Sequence, residues 1–284
     1  MPIPNLSIIG ESINDSVPST HSLFEANDIT GIMNLAKTQA DLGASFIDVN
    51  VGPRTPAFMA EMIRSVQAVT DKPLSIDSPD FETAKAGLAA YDASRGAPIL
   101  NSISPLRTAM FDLLAIKPFR PILLASENMK EGVGLPCVTA EETYAAALLL
   151  LETAHRHGLK NDDCIIDPGI APIGTDTENN IHRLMGALRL MREAPVFAGV
   201  HVSVGLSNFT VMLPSKRADG SPVKTPLASA FLTRAMPLGL DMVIGSAKLP
   251  YSLLPEGHPA LQCFDDCLAA DGFDVLIRVQ DYYS

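Results

Sequence analysis

Eight short apolar runs, rich in isoleucine and valine, recur along the 284 residues and constrain the fold more than any other feature. They lie at residues 6–12, 45–51, 73–77, 98–104, 121–126, 164–169, 197–204 and 241–247. Stretches with helical spacing separate them, and this alternation is typical of parallel strands joined by crossover helices. Eight such units predict one α/β domain over residues 1–284, a (β/α)8 TIM barrel. A doubly wound sheet is less favoured because neither GxGxxG nor GxxxxGK[ST] occurs.

Two of the intervening stretches show the helical pattern clearly. In the first, Ile29 and Ile32 fall on one face, and Gly43 stands where a left-handed residue commonly follows a helix. In the second, Thr139 is placed as an N-cap, with Glu142 three residues later in a capping-box pattern. Both stretches therefore predict amphipathic helices packed on the sheet.

Composition excludes several classes of function. With 47% hydrophobic and 19% charged residues, the chain has the composition of a folded globular protein. Its net charge of −11 argues against general nucleic-acid binding and against docking on an anionic membrane surface. The first residues lack the features of a signal peptide, and no apolar stretch is long enough to span a bilayer, so we expect a cytoplasmic protein.

The four cysteines predict no metal site. They form no CxxC pair, and reduced thiols are the plain expectation for a cytoplasmic protein. Cys263 and Cys267 lie four residues apart, which places both on one face of a helix. A metal would also need histidine or carboxylate partners, so buried helix packing is the expected role of this pair.

Polar side chains recur where the predicted strands end. The C-terminal ends of all barrel strands open on one face, and the loops there form the site. The residues at these ends are Glu11, Asn14, Asp48, Asn50, Asp77, Asn101, Glu127, Asp167 and Asn208. Each has a local explanation, such as helix capping by Asp77 or turn formation by Asp167. Together they predict a ligand rich in N–H donors, since so many unpaired acceptors would be costly to bury.

Several common catalytic motifs do not occur in this sequence. It contains no HExxH, no GxSxG, no cysteine beside a histidine at a strand end, and no lysine on a predicted strand. The available groups are neutral amides and acceptors. They are suited to holding a heteroaromatic ring and to catalysis by positioning and electrostatics.

Six short motifs resemble, in this order, those of the pterin-binding methyltransferase family. They are IGESIN at 8–13 followed by Asn14, DVNVG at 48–52, SIDSPD at 75–80, ILNSIS at 99–104, IIDPGI at 165–170 and GLSNFT at 205–210. The family includes methyltetrahydrofolate:corrinoid/iron-sulfur protein methyltransferases and the folate-binding module of cobalamin-dependent methionine synthase. The resemblance spans residues 6 to about 247. It implies a dihydropteroate-synthase-like barrel, usually a homodimer, that moves a methyl group between N5 of tetrahydrofolate and the cobalt of a corrinoid.

The resemblance also implies roles for the motif residues. Asp77, Asn101 and Asp167 would line the pterin pocket, where their acceptors match the N–H donors of the ring. Asn208 would reach N5 and bind it more strongly as that nitrogen gains charge or a proton in the transition state. The remaining candidates shape the floor of the site, lie behind it, or form the turn that approaches the ring: Glu11, Asn14, Asp48, Asn50, Gly205 and Ser207.

The corrinoid is expected on a separate partner protein. The sequence contains no Asp-x-His-x-x-Gly cobalt-ligating motif, and the barrel leaves no residues for a cobalamin module. Both directions of transfer share one transition state. Divergence of SIDSPD and FTVMLPSKRADG from the acetyl-CoA-pathway branch favours transfer from corrinoid to tetrahydrofolate in a demethylation pathway. Three loop cations, Lys216, Arg217 and Lys224, would either meet the glutamate tail of the folate or simply be solvated.

Three alternatives stay open. Dihydropteroate synthase has an Asn-Val-Thr-Pro-Asp-Ser-Phe segment and a Ser-Arg-Lys turn where this chain has GESINDSV and LSNFTV, so the stabiliser of a departing diphosphate is missing. A non-catalytic pterin-binding partner protein would have no need of Asn208 at N5. A zinc-dependent methyltransferase barrel is the third alternative. His201 is its one attractive zinc ligand, and a hydrogen bond within the barrel would explain this histidine equally well.

Overall fold

The computed structural model describes residues 3–284 and contains the eight predicted strands as one parallel barrel. The ten strands of the described chain are β1 (Ser7–Asn14), β2 (Phe46–Asn50), β3 (Leu74–Asp77), β4 (Ile99–Ile103), β5 (Arg120–Leu124), β6 (Glu127–Lys130), β7 (Val133–Pro136), β8 (Ile165–Asp167), β9 (His201–Val202) and β10 (Met242–Gly245). The barrel order is β10-β1-β2-β3-β4-β5-β8-β9. The Ile244 N–H donates to the Val204 carbonyl at 2.9 Å, which joins the two end strands and closes the barrel.

Helices follow most of the strands and pack around the barrel. They are α1 (Pro18–Glu25), α2 (Ile29–Asp41), α3 (Pro56–Gln67), α4 (Phe81–Ala90), α5 (Ala140–Arg156), α6 (Asn180–Glu193), α7 (Leu206–Phe209), α8 (Lys224–Ala235), α9 (Pro259–Leu268) and α10 (Phe273–Tyr283). Between β4 and β5 a 3-10 segment, Thr108–Ala115, takes the place of an α-helix. No helix in residues 3–284 is long and apolar enough to cross a membrane.

Local capping agrees with the sequence in part. Asp28 accepts the Gly31 N–H at the start of α2, and Gly43 has a φ of +94° just beyond its end. Thr139 caps α5 by accepting the Glu142 N–H at 3.2 Å. Glu142 instead accepts from the Val138 N–H at 2.8 Å, so the reciprocal bond is displaced by one residue from a capping box.

Two apolar cores hold the barrel. The larger lies between the strands and the surrounding helices. The smaller fills the barrel interior with Ile9, Ile99, Ile122, Ile165, Met242 and Ile244. Because side chains alternate along a strand, the same strands place polar residues in the next inward-facing positions toward their C-terminal ends.

The cysteine pair packs as its spacing predicts. Cys263 and Cys267 are both buried on α9, and their thiols lie 3.6 and 3.8 Å from the carbonyl oxygens of Arg278 and Val275 on α10. Within residues 3–284 no group of three or more histidine, cysteine or acidic side chains is placed to hold a metal ion.

Candidate functional site

A cavity of about 600 Å³ opens at the C-terminal ends of the strands. This volume falls within the range of about 300–1,000 Å³ that is usual for small-molecule sites. Its lining includes eight of the ten predicted site residues: Glu11, Asn14, Asp77, Asn101, Asp167, Gly205, Ser207 and Asn208. We call it the mouth cavity. The other two predicted residues, Asp48 and Asn50, are absent from its lining and lie behind it.

Three neighbouring strands form one wall of the mouth cavity. Asn50, Asp77 and Asn101 are lateral partners on β2, β3 and β4. The Asn50 side-chain amide donates to Asp77 Oδ2 at 2.8 Å, so Asn50 orients the carboxylate instead of facing the cavity. Asp80, not Asp77, caps α4 by accepting the Thr83 N–H. Asp77 is therefore free to bind a ligand.

Burial raises the pKa of Asp77 to about 6, and the hydrogen bond from Asn50 opposes this rise. The charge of Glu11 adds to the effect, whereas Arg107 reduces it. At neutral pH Asp77 is thus mainly ionised but close to its titration range.

Asp48 lies one layer deeper in the barrel. Its side chain is completely buried, and neither carboxyl oxygen has a hydrogen bond of good geometry among the described residues. Burial, and then the charge of Asp77, raise the pKa of Asp48 well above its ordinary value, whereas the nearby side chains of Ser75 and Asn101 oppose this rise. The direction of this shift reflects the cost of burying an unpaired charge.

Asp167 is fixed by its own turn and by a buried arginine. Its Oδ1 accepts the Gly169 N–H at 2.7 Å. Arg183 on α6 donates to the carbonyl oxygens of Pro168 at 2.6 Å and Gly169 at 2.9 Å, and to Thr143 Oγ1 at 2.9 Å. Burial raises the pKa of Asp167 to about 6, against the lowering effects of the Gly169 N–H and Arg183.

Sequence reasoning missed Arg183. The available signal was a charged residue within the apolar stripe of α6, between Ile181 and Leu184, both of which are buried.

The Asn208 side chain comes from the short helix α7, directly after Gly205. The Asn208 N–H donates to the Gly205 carbonyl at 3.0 Å. A Cβ at Gly205 would lie 2.8 Å from Asn208 Nδ2, so the asparagine side chain folds back over the glycine. A side chain at this position would displace the Asn208 amide, whereas the φ of −72° makes no demand for glycine.

Glu11 connects this turn to the end of β1. Ser207 Oγ donates to Glu11 Oε2, and the Asn14 side-chain amide donates to Glu11 Oε1 at 3.0 Å. These contacts place Glu11, Ser207 and Asn208 on one side of the mouth cavity.

The loop cations do not line the mouth cavity. Arg217 donates from Nε to the Tyr282 carbonyl at 2.7 Å and lies 4.7 Å from the centre of the Tyr282 ring. Lys224 donates to the Val211 carbonyl at 3.2 Å, and Lys216 pairs through its backbone with Pro222. These contacts favour structural roles over contact with a folate tail.

The hairpin β6–β7 was also not predicted from the sequence. Glu127, expected to close the fifth strand, instead begins β6 and is absent from the lining of the mouth cavity. The turn consists of Glu131 and Gly132, both with positive φ, which is typical of two-residue hairpin turns. Other lining residues missed by the analysis include Ser102, Ser126, Ser246 and Tyr251.

Two electrostatic features limit the chemistry. The described lining of the mouth cavity contains no lysine, arginine or histidine, and the nearby Arg107 acts on Asp77 without lining the cavity. His201 begins β9 at the opposite end of the barrel, where Nδ1 lies 2.6 Å from Asp241 Oδ2. A hydrogen bond within the barrel accounts for this histidine.

The chain belongs to the family described as pterin binding enzymes, whose family model matches residues 13–245. A curated relative, the methylcorrinoid:tetrahydrofolate methyltransferase of Eubacterium limosum, is 27% identical over 247 residues, covering 84% of this chain and 83% of the relative. The expected resemblance to the pterin-binding methyltransferase family is thus confirmed.

Solved structures confirm the predicted barrel. The dihydropteroate synthase from Xanthomonas albilineans in complex with 7,8-dihydropteroate superposes with a TM-score of 0.59 at 19% identity, covering 95% of this chain and 96% of that chain. The 7,8-dihydropteroate synthase from Vibrio fischeri ES114 gives a TM-score of 0.55 at 15% identity, with coverages of 97% and 91%. At these identities the likeness establishes the fold alone.

Proposed function

We propose that the protein is a cytoplasmic methyltransferase that moves the methyl group of a methylcorrinoid, carried by a separate protein, to N5 of tetrahydrofolate. One observation carries the proposal. A neutral asparagine, Asn208, shares the mouth cavity with the predicted pterin-binding residues Asp77, Asn101 and Asp167, and no cationic side chain lines that cavity within residues 3–284. The named activity of the E. limosum relative supports the same reaction.

In the proposed complex three side chains form hydrogen bonds with one edge of the pterin. The 2-amino group and ring N–H of the pterin donate to the carboxylates of Asp77 and Asp167, and the amide of Asn101 donates to a ring acceptor. Both carboxylates have pKa values near 6, so at neutral pH they are mainly ionised acceptors. Asn50 and Arg183 hold them in place from behind.

The transfer step uses Asn208 at N5. Its amide oxygen accepts the N5–H, and this interaction strengthens as the nitrogen develops positive charge, which lowers the barrier. The corrinoid supplies the methyl group on cobalt. Its carrier protein docks over the barrel mouth, because the mouth cavity opens there.

The proposed direction is from corrinoid to tetrahydrofolate, as the last step of a demethylation pathway. Sequence divergence from the acetyl-CoA-pathway branch supports this direction, and so does the name of the relative. We also propose a homodimer, on the family resemblance alone.

Dihydropteroate synthesis is the second candidate for this fold. The solved dihydropteroate synthases favour it at the level of architecture. That reaction expels diphosphate, which a mouth cavity without a lining cation stabilises poorly. A non-catalytic pterin-binding protein would not need Asn208 as a hydrogen-bond partner of N5. Methyl transfer accounts for the whole set of lining residues better than either alternative.

The test is anaerobic mixing of the purified protein with methylcob(III)alamin and tetrahydrofolate, following loss of methylcobalamin and appearance of cob(I)alamin. We expect turnover in the wild type and a fall of about 100-fold in kcat for Asn208→Ala, the usual scale for one transition-state hydrogen bond. Asn34→Ala is the matched control, since Asn34 is exposed on α2. Wild-type protein that neither turns over nor binds tetrahydrofolate by calorimetry would refute the proposal.

A further inference from the structure

The proposed reaction releases a proton inside the mouth cavity. The lone pair of N5 forms the new N–C bond, while the Co–C bond breaks and its electron pair stays on cobalt. N5 then carries both the methyl group and its original hydrogen, and the nitrogen is positively charged. Neutral 5-methyltetrahydrofolate forms only when that hydrogen leaves as a proton, so a base near N5 is required.

Four titratable side chains line the described part of the mouth cavity: Glu11, Asp77, Asp167 and Tyr251. Asp77 and Asp167 are engaged by the N–H donors at the other edge of the pterin. Burial raises the pKa of Tyr251 to about 12, so its phenol already holds a proton at neutral pH. Glu11 is the carboxylate that remains.

The position of Glu11 suits this task. Its Oε2 accepts from the Ser207 hydroxyl, and Ser207 directly precedes Asn208, the residue assigned to N5. A hydroxyl can accept one proton while donating its own. Asn208 holds the single N5 hydrogen in the transition state, and after methyl transfer Ser207 can accept that hydrogen and pass its own proton to the carboxylate. The second oxygen, Oε1, accepts from the Asn14 amide and keeps the carboxylate oriented.

We propose that Glu11 accepts the N5 proton, relayed by the Ser207 hydroxyl, when the methyl group is transferred to tetrahydrofolate. This inference rests on the proposed function. The ionisable groups that face Glu11 are Asp48 on β2, Asp77 on β3 and Tyr251 after β10. Among residues 3–284 no cation forms an ion pair with Glu11, so protonation breaks no such pair. In the reverse reaction Glu11 and Ser207 return the proton to N5.

The test measures kcat, its pH profile and tetrahydrofolate affinity for Glu11→Gln, Glu11→Asp and Ser207→Ala, with methylcob(III)alamin as methyl donor. Glu11→Gln removes the base but nearly keeps its shape. We expect its kcat to fall by about 100-fold, since general base catalysis contributes about 10²–10⁴-fold, with calorimetric affinity for tetrahydrofolate within about threefold. A pH dependence of kcat that the wild type owes to this base should be absent from Glu11→Gln. Glu11→Asp should recover part of the rate, and Ser207→Ala should lose less than Glu11→Gln, because water can replace the hydroxyl.

Glu152→Gln is the matched control, because Glu152 is exposed on α5 and the substitution makes the same change in charge. Forward and reverse values of kcat/KM for Glu11→Gln should fall by one common factor, since an enzyme cannot alter the equilibrium. The inference is overturned if Glu11→Gln keeps the wild-type rate and pH profile, or if it loses affinity alone. A wild type that neither transfers the methyl group nor binds tetrahydrofolate overturns the proposed function, and this inference with it.

Discussion

The same strands build both ends of the barrel interior, but one end is apolar and the other is polar. The lower layer is apolar, with Ile9, Ile99, Ile122 and Ile165 packed together. The upper part is polar. Asp48 is buried there without a hydrogen bond of good geometry among the described residues, and Asp77 and Asp167, nearer the mouth, have pKa values that rise to about 6. The apolar layer lowers the free energy of the folded state, whereas the buried carboxyl groups above it raise that free energy. Such a cost is expected where a ligand supplies the missing partners.

The largest effect should follow from removing volume in the lower layer. Ile122 is completely buried there, so Ile122→Ala is expected to lower the free energy of unfolding by about 2–5 kcal/mol. Thermal or urea unfolding gives the value. Ile116→Ala, at a position 45% exposed, is the control and should change stability by less than about 0.5 kcal/mol. A small loss for Ile122→Ala would contradict the assignment of this layer to stability.

The next effect concerns ligand binding in the upper part. Asp167→Asn keeps an acceptor for the Gly169 N–H but removes the charge, so tetrahydrofolate binding should weaken by about 1.5–3 kcal/mol, the usual worth of a charged hydrogen bond. Anaerobic calorimetry measures this loss. Asp162→Asn, on an exposed turn, should bind as the wild type does.

The pH dependence of binding provides a second measure of the same site. The ligand binds the ionised form of Asp77 and Asp167, so affinity should be constant at high pH and fall as pH drops through about 6. Asp167→Asn should make this fall shallower by one proton. An unchanged slope would show that Asp167 does not bind the pterin as a carboxylate.

The smallest effect should be a gain in stability. The folded pKa of Asp48 lies above its unfolded value, so this residue opposes folding at pH values above the unfolded pKa and has no such effect below it. Asp48→Asn should therefore raise the free energy of unfolding at pH 7. Unfolding at pH 7 and pH 3.5 measures it, and a gain of equal size at both values would exclude titration as the cause.

The strands were predictable because their signals are local. An apolar run between turn residues identifies each barrel strand, and the polar residue at its end lies at the mouth by the geometry of the barrel. Which layer a side chain reaches is not local. Asp48 and Asn50 are two residues apart on β2, yet Asp48 lies in the deeper layer and Asn50 bonds sideways to Asp77. That difference depends on the register of β2 with β3, which the sequence does not encode in a short pattern.

Contacts between distant elements were the other part that sequence reasoning could not supply. Arg183 reaches the turn of Asp167 from α6, and Ser207 reaches Glu11 across 196 residues of chain. The orientation of Arg217 toward Tyr282 likewise depends on where α10 packs. Each of these contacts requires the folded arrangement of helices around the barrel.

The most direct test of the account follows the methyl group itself. Methylcobalamin labelled with ¹³C in its methyl group is incubated anaerobically with tetrahydrofolate and the wild-type protein, and the products are examined by carbon NMR. We expect a labelled N-methyl signal from 5-methyltetrahydrofolate that is strongly reduced with Asn208→Ala. Label that stays on cobalt, from a protein that makes dihydropteroate when given a pterin diphosphate and p-aminobenzoate, would contradict this expectation.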